Sequence, residues 1–345
     1  MYEKFYNLKQ NPFSLSPDPQ FICMTAQHQE ALSGLVYSIC TRPGLTLLVG
    51  EAGTGKTTLL YTLLQFLEKK QYITGICTNP RLSIEEFYDY LLAEFNIPCA
   101  SSLKSQRLIA LRDSLLKNHV AGRPAVLILD EAHALHPDLM EEIRLLLNLE
   151  TPRAKLLQII MAGQPELSEI LRRSQLRQLK QRINYFCKLE PLSLQELREY
   201  LIHRLARAGL PNQTLFTGPA LDAIYEYTKG IPRLVNTLCD NALRTGFAIQ
   251  SPQISVSNIE EAAAELDLTP TAPSKGPVEN GNGKTTGKLG ANSSQPIPLS
   301  IPVPVQVTDL GGERKEEQPI RMPLDSYTAR QKSLGFLAGL LDRWR

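Results

Sequence analysis

The chain is short of the features that mark several common classes of protein. Charge of neither sign dominates, with 37 basic side chains against 35 acidic ones, so whole-chain electrostatics give no basis for nucleic-acid or membrane binding, although a local patch would suffice. No two cysteines stand in a C-x-x-C pair. Cys23, Cys40, Cys77, Cys99, Cys187 and Cys239 are scattered and read as reduced core residues of a cytosolic protein, not as a disulfide frame or a zinc site. No apolar run approaches the ~18 residues a membrane helix needs; AVLIL and LTLLVG are strand-length. The opening MYEKFYNLKQNPF lacks the apolar core of a secretory signal, so a soluble protein is expected. No internal repeat is visible.

What is there is length and alternation. At 345 residues the chain is long enough for a sizeable core. Short β-rich runs at 45–49, 72–77, 125–130 and 156–163 alternate with amphipathic stretches such as IEEFYDYLLAEF at 84–95 and DLMEEIRLLLNL at 138–149. Strands separated by helices imply βαβ crossovers, hence an α/β fold with a parallel sheet and helices on both faces. After Pro191 the pattern turns helical, with Ser, Thr or Pro near the starts and Gly at two of the stops, so a helical subdomain is expected over 191–268. Residues 269–323 are rich in Pro, Gly, Ser, Asn and Thr and read as a disordered linker. The last segment, 324–345, carries Leu334, Leu337, Leu340, Leu341 and Trp344 at helical spacing and reads as a short amphipathic helix.

Two motifs carry chemistry. Gly50-Glu51-Ala52-Gly53-Thr54-Gly55-Lys56-Thr57, followed by Thr58, fits the phosphate-loop pattern G-x-x-x-x-G-K-[ST] in full, between a strand and a helix. Its glycines let successive backbone N–H groups face a phosphate chain, and the next helix aims its positive end at the same place. Lys56 is expected on the β- and γ-phosphates and the Thr57 hydroxyl on Mg²⁺, so the expected ligand is a nucleoside triphosphate with Mg²⁺. AVLILDEAH at 125–133 supplies the second motif. Its Asp130 and Glu131 fall at the C-terminal edge of the sheet, where ligands of such folds bind. Asp130 is expected to hold Mg²⁺ through water and Glu131 to polarise the attacking water. Four of the five histidines, His119, His133, His136 and His203, form no metal pattern and read as structural or surface residues.

The order of phosphate loop, acidic strand end, a later strand ending in a polar residue and a helical lid resembles the AAA+ ATPases. More narrowly, FYNLKQNPFSLSPDPQFICMTAQHQEAL at 5–32, GEAGTGKTTLL, LDEAH, AGQPEL and GIPRLVN resemble the ExeA/GspA family of secretion-associated ATPases. That family adjoins the TnsC/TniB transposition regulators and the Orc/Cdc6-like group. The resemblance covers about residues 1–268, which divides into a lead-in and α/β nucleotide domain at 1–190 and the lid at 191–268.

The resemblance implies further roles. Gln164 takes the sensor-1 position and Arg233 the sensor-2 position, both near the γ-phosphate. Arg182 lies where an arginine finger would enter a neighbouring subunit's site, with Arg177 as the rival; the positive run at 172–182 also reads as a DNA-facing patch or a solvated helix face. Pro12-Phe13 and the strip to His28 resemble a lead-in that packs near the adenine, or they are core staples. An ATP-dependent homo-oligomer, ring or filament, is implied. Secretion-type members commonly continue through a membrane helix into a wall-binding region; this sequence carries neither, so the tail is expected to bind a protein partner, with docking on a membrane surface as the rival.

Three functions are expected to compete. The first is a cytoplasmic ATPase, or one peripheral to the inner face of the membrane, that drives or licenses assembly of a secretion, pilus or envelope-polysaccharide machine. The second is a transposition-type regulator bound to duplex DNA. The third is a nucleotide-gated scaffold with negligible turnover.

Overall fold

The computed structural model describes residues 2–15, 21, 23–41, 44–210 and 215–270. The expected amphipathic tail and nearly all of the expected linker lie outside the described residues. Helix α1 (Tyr2–Phe5) and helix α2 (Ala26–Thr41) come first. Strands and helices then alternate through β1 (Leu45–Gly50), α3 (Lys56–Lys69), β2 (Ile73–Cys77), α4 (Ile84–Glu94), α5 (Lys104–Val120), β3 (Ala125–Leu129), α6 (Pro137–Leu146) and β4 (Leu157–Gly163). Two short helices, α7 (Glu166–Ile170) and α8 (Arg177–Lys180), lead into β5 (Ile183–Leu189). Beyond β5 the chain turns helical, with α9 (Leu194–Arg207), α10 (Gly218–Thr228), α11 (Pro232–Ala248) and α12 (Val256–Glu265).

The five strands pair in parallel in the order β2-β3-β4-β1-β5. Period-two geometry sends alternate side chains to opposite faces of a strand, and the two resulting cores separate cleanly. On one face Leu45, Leu47 and Val49 of β1 join Leu127 and Leu129 of β3 and Ile159 and Met161 of β4, beneath α4, α5 and α6. On the other, Leu48, Val126, Ile128 and Ile160 pack against α2 and α3. Because both faces are covered, β1, β3 and β4 are buried along their whole length. This is why they read as continuous apolar runs.

Strand β5 was not among the expected strands; its sequence comes directly after the basic run at 172–182. It sits at the sheet edge with a mixed pattern, Asn184, Phe186 and Lys188 exposed against buried Cys187 and Leu189. An outward lysine is a usual feature of an edge strand. The helical subdomain expected over 191–268 consists of α9 to α12 among the described residues.

The lead-in belongs physically with the lid. Tyr2, Tyr6, Leu8, Phe13 and Phe21 share one core with Leu197, Leu201, Val235, Leu238 and Ile259 of the lid helices. Phe13 is 1% exposed and meets Phe216 edge-on at 6.0 Å, worth roughly 1.5–3 kcal/mol of burial. The Tyr2 hydroxyl and the Asn11 amide both donate to Asp240 on α11.

Candidate functional site

Parallel topology sets the site. Because β1 lies beside β4, and β4 beside β3, the C-terminal ends of these strands deliver three segments to one edge: the loop 50–56, Gln164, and Asp130-Glu131. At the loop, Gly53 has φ +83° and Gly55 φ +99°, left-handed values that glycine adopts without strain. Gly55 caps α3 from that conformation.

Lys56 is 5% exposed, and its ammonium donates to the carbonyls of Gly50 at 2.7 Å and Glu51 at 2.9 Å. Burial pushes this ammonium below its ordinary range, while the carboxylates of Glu131, Asp130, Glu51 and Glu166 pull the other way. The next residue makes the connection that matters most. The Thr57 hydroxyl donates to Asp130 Oδ2 at 2.9 Å, joining the loop to the acidic strand end. Asp130 is itself buried, and its Oδ1 accepts the Glu131 backbone N–H at 2.9 Å. Two hard oxygen donors meeting at the mouth of a backbone anion cradle fit Mg²⁺ with a phosphate chain.

Glu131 departs from ordinary backbone, with φ 51° and ψ 34°, unusual for a residue with a side chain. Its Oε2 is enclosed and makes no hydrogen bond among the described residues, although the side chain as a whole is 46% exposed. His133 Nδ1 lies 3.3 Å from that oxygen. The other ring nitrogen, Nε2, lies 3.2 Å from the Gln164 side-chain amide nitrogen. His133 therefore stands between Glu131 and Gln164, a placement that the sequence reading of a structural or surface residue missed. The one available signal was its position two residues past Glu131, on a single helical turn facing the end of the next strand.

Opposite the loop stands the lid. Arg233, at the start of α11, donates its backbone N–H to Gly53 O at 3.2 Å. A Cβ at Gly53 would come within 2.7 Å of the Arg233 Cβ, so glycine permits this approach of lid and loop. Between them opens a cavity of about 390 Å³, within the ~300–1,000 Å³ range of small-molecule sites. The loop and Glu131 line one side; Tyr200, Arg204, Arg233 and Asn236 of the lid, with Phe21 and Met24 of the lead-in, line the other.

Arg204 organises that second side. Its guanidinium donates to Pro12 O at 2.5 Å, Ser14 O at 3.3 Å and the Tyr200 hydroxyl at 2.7 Å, and stacks over Phe21 at 5.1 Å. The Tyr200 hydroxyl in turn donates to Asn236 Oδ1 at 2.8 Å. His28 closes the corner, with Nδ1 2.7 Å from the Thr25 hydroxyl and Nε2 3.4 Å from Thr54 O. Burial holds its pKa below the ordinary histidine range. Thus Phe13 is a core staple, whereas Phe21, Met24 and His28 face the cavity.

Arg182 and Arg177 do not join this chain's own cavity. Arg182 starts the approach to β5 and donates to Asn148 Oδ1 at 3.1 Å. Arg172, Arg173, Arg177 and Lys180 are exposed on the same stretch.

A parallel sheet with a phosphate loop after an interior strand, an acid pair on a nearby strand and a helical lid over the loop defines an AAA+ P-loop NTPase. In agreement, a family profile described as an AAA domain matches residues 39–171. General secretion pathway protein A of Aeromonas hydrophila is 43% identical over 267 residues, covering 77% of this chain and 48% of that protein. The chain has the AAA+ fold, is similar to the ExeA/GspA-like family, and spans about half the length of this relative. Among solved structures, Cdc6p of Pyrobaculum aerophilum superposes with a TM-score of 0.57 at 20% identity, covering 74% of this chain and 70% of that one. A Drosophila ORC structure bound to DNA gives 0.60 at 17% identity, covering 78% and 66%. These two likenesses concern the fold. No helix among the described residues is long and apolar enough to cross a membrane.

Proposed function

We propose that the chain binds MgATP between the sheet edge and the lid and hydrolyses it, and that the cycle drives or licenses assembly of a secretion, pilus or envelope-polysaccharide machine. The observation that carries the chemical part is the Thr57–Asp130 hydrogen bond, which ties the phosphate loop to the acid pair. The general secretion pathway relative supports the biological part.

In this reading Gly53, Gly55 and their neighbours Gly50, Glu51, Ala52 and Thr54 offer backbone to the phosphates, with Thr58 continuing the helix start. Lys56 leaves the carbonyls of Gly50 and Glu51 to meet phosphate oxygens. Thr57 and Asp130 hold Mg²⁺, which, when bound, neutralises charge on the β- and γ-phosphates. Glu131 takes the proton of the attacking water, and Gln164 orients that water. Arg233 stabilises charge from the lid. Arg182, or Arg177 in its place, enters the site of a neighbouring protomer in a ring or filament, a contribution of the kind worth about 10³–10⁵ in rate. The protein works in the cytoplasm or at the inner face of the membrane, and the amphipathic tail recruits a protein partner.

A second reading is a regulator on duplex DNA. It is favoured by the exposed basic stretch from Arg172 to Arg182, which suits phosphate contacts. ATP turnover per protomer, measured across a protein-concentration series with and without duplex DNA, separates the two. Turnover rising with concentration alone supports the assembly reading, a large rise only with DNA supports the regulator, and no turnover in either condition contradicts both.

A further inference from the structure

The contacts of His133 go beyond any of these roles. Glu131 and Gln164 come from different strand ends, and no direct hydrogen bond between their side chains is seen; the imidazole of His133 lies between them, 3.3 Å from one and 3.2 Å from the other. The shorter of its two contacts with Gln164 sets the tautomer assigned to the ring. An amide nitrogen only donates, so Gln164 Nε2 requires His133 Nε2 to accept. A neutral imidazole that accepts at Nε2 carries its proton on Nδ1, the nitrogen facing Glu131 Oε2. The Gln164 backbone N–H also donates to Nδ1, in a long bond of 3.5 Å that is weaker than the 3.2 Å amide contact at Nε2. Gln164 therefore selects the tautomer that presents a donor to the glutamate.

The glutamate has need of such a partner. Its Oε2 is enclosed without a hydrogen bond, and its backbone is held left-handed at φ 51°. Unusual backbone of this kind persists only where the surroundings over-determine it. The ring is 21% exposed in its side chain, and the Gly163 position packs against the His133 backbone so closely that a Cβ there would lie 3.1 Å from His133 N. The turn and the end of β4 are thus in direct contact.

We propose that His133 is a positioning residue that couples the orientation of Glu131 to that of Gln164, so that the water-activating carboxylate is aligned only as the γ-phosphate engages the glutamine. This rests on the ATPase reading. When Gln164 turns its amide toward a phosphate oxygen, the His133 ring shifts with it and carries Glu131 into line with the water. No bond is made or broken by His133 itself.

The test is steady-state ATP hydrolysis by the full chain, with affinity for a fluorescent ATP derivative measured in parallel, in wild type, His133→Ala, His133→Asn, Gln164→Ala and the His133→Ala/Gln164→Ala pair. Misalignment of a catalytic group by a fraction of its reach costs on the order of 10²-fold, so His133→Ala is expected to lose about that in kcat with ATP affinity within about threefold of wild type. His133→Asn keeps a donor near the Nδ1 position and is expected to regain about tenfold of the loss. In the Gln164→Ala background the His133→Ala change is expected to cost less than about fivefold, because coupled residues are not additive. Wild-type kcat in His133→Ala, affinity falling in parallel with kcat, or full additivity in the pair each overturns the proposal while leaving the ATPase reading intact. A wild type with no turnover under any condition overturns both. If His133→Ala does not fold, His133→Asn in the two Gln164 backgrounds decides by the same additivity criterion.

Discussion

The two walls of the cavity are made of different material. The sheet-side wall is largely backbone: glycines at left-handed φ, strand ends and a helix start, with Lys56, Thr57 and Glu131 prominent among its side chains. The lid-side wall is largely side chain, gathered from positions as far apart as Pro12 and Arg204, 192 residues distant in sequence. A backbone wall is specified by a short contiguous string, because only certain residues allow its φ values. A side-chain wall is specified by packing, and any of several residue sets fill the same space. This contrast predicts that the sheet side governs whether nucleotide binds at all, and the lid side how firmly the cavity is held shut.

The largest effect that would break this contrast concerns Lys56. Lys56→Ala is expected to abolish ATP binding by titration calorimetry while leaving the unfolding midpoint of the apo protein nearly unchanged; retained micromolar binding would contradict the assignment. On the other wall, Arg204→Ala removes the donor that holds Pro12 O, Ser14 O and Tyr200 together. Denaturant unfolding is expected to show a loss of roughly 2–4 kcal/mol for these charge-assisted bonds, with faster proteolysis near residue 15. An unchanged stability would mean the lead-in is held by its apolar contacts alone. Where the walls touch, Gly53→Ala forces a side chain onto φ +83° and against the Arg233 Cβ. Left-handed strain of about 1–2 kcal/mol is expected there, read as that loss of stability in denaturant unfolding.

The smallest effect sharpens the corner between the walls. Burial keeps the folded-state pKa of His28 below its ordinary value, whereas the unfolded chain takes up the proton near pH 6.5. The unfolded state therefore binds more protons as the pH falls through about 6.5, and the protein loses stability down to the folded pKa. His28→Gln is expected to flatten the stability profile between about pH 7 and 5. His203, shifted in the same direction by burial and its neighbouring arginines, keeps part of the slope. An unchanged profile would place His28 in contact with water.

What could be read from the sequence divides along the same line. The parallel sheet, its order of strands and helices, and the loop with its acid pair were readable because β1, β3 and β4 are fully buried and the loop is contiguous. Strand β5 was not, since an edge strand buries only alternate residues and its pattern, INYFCKL, is broken by polar positions. The attachment of the lead-in to the lid was hidden because Tyr2, Phe13 and Asp240 announce nothing until they pack. His133 was dismissed for want of metal-ligand spacing, although its partners are a carboxylate and an amide.

The central claim is that this cavity hydrolyses the nucleotide it binds, with Glu131 activating the water. The most direct measurement is a single-turnover assay of radiolabelled ATP on Glu131→Gln beside wild type, with bound nucleotide quantified at each time point. Glutamine keeps the shape but cannot take a proton, and loss of a general base costs about 10²–10⁴-fold. Intact ATP retained on the variant, while wild type releases phosphate, is the expected result. Phosphate release by Glu131→Gln at the wild-type rate would contradict the claim.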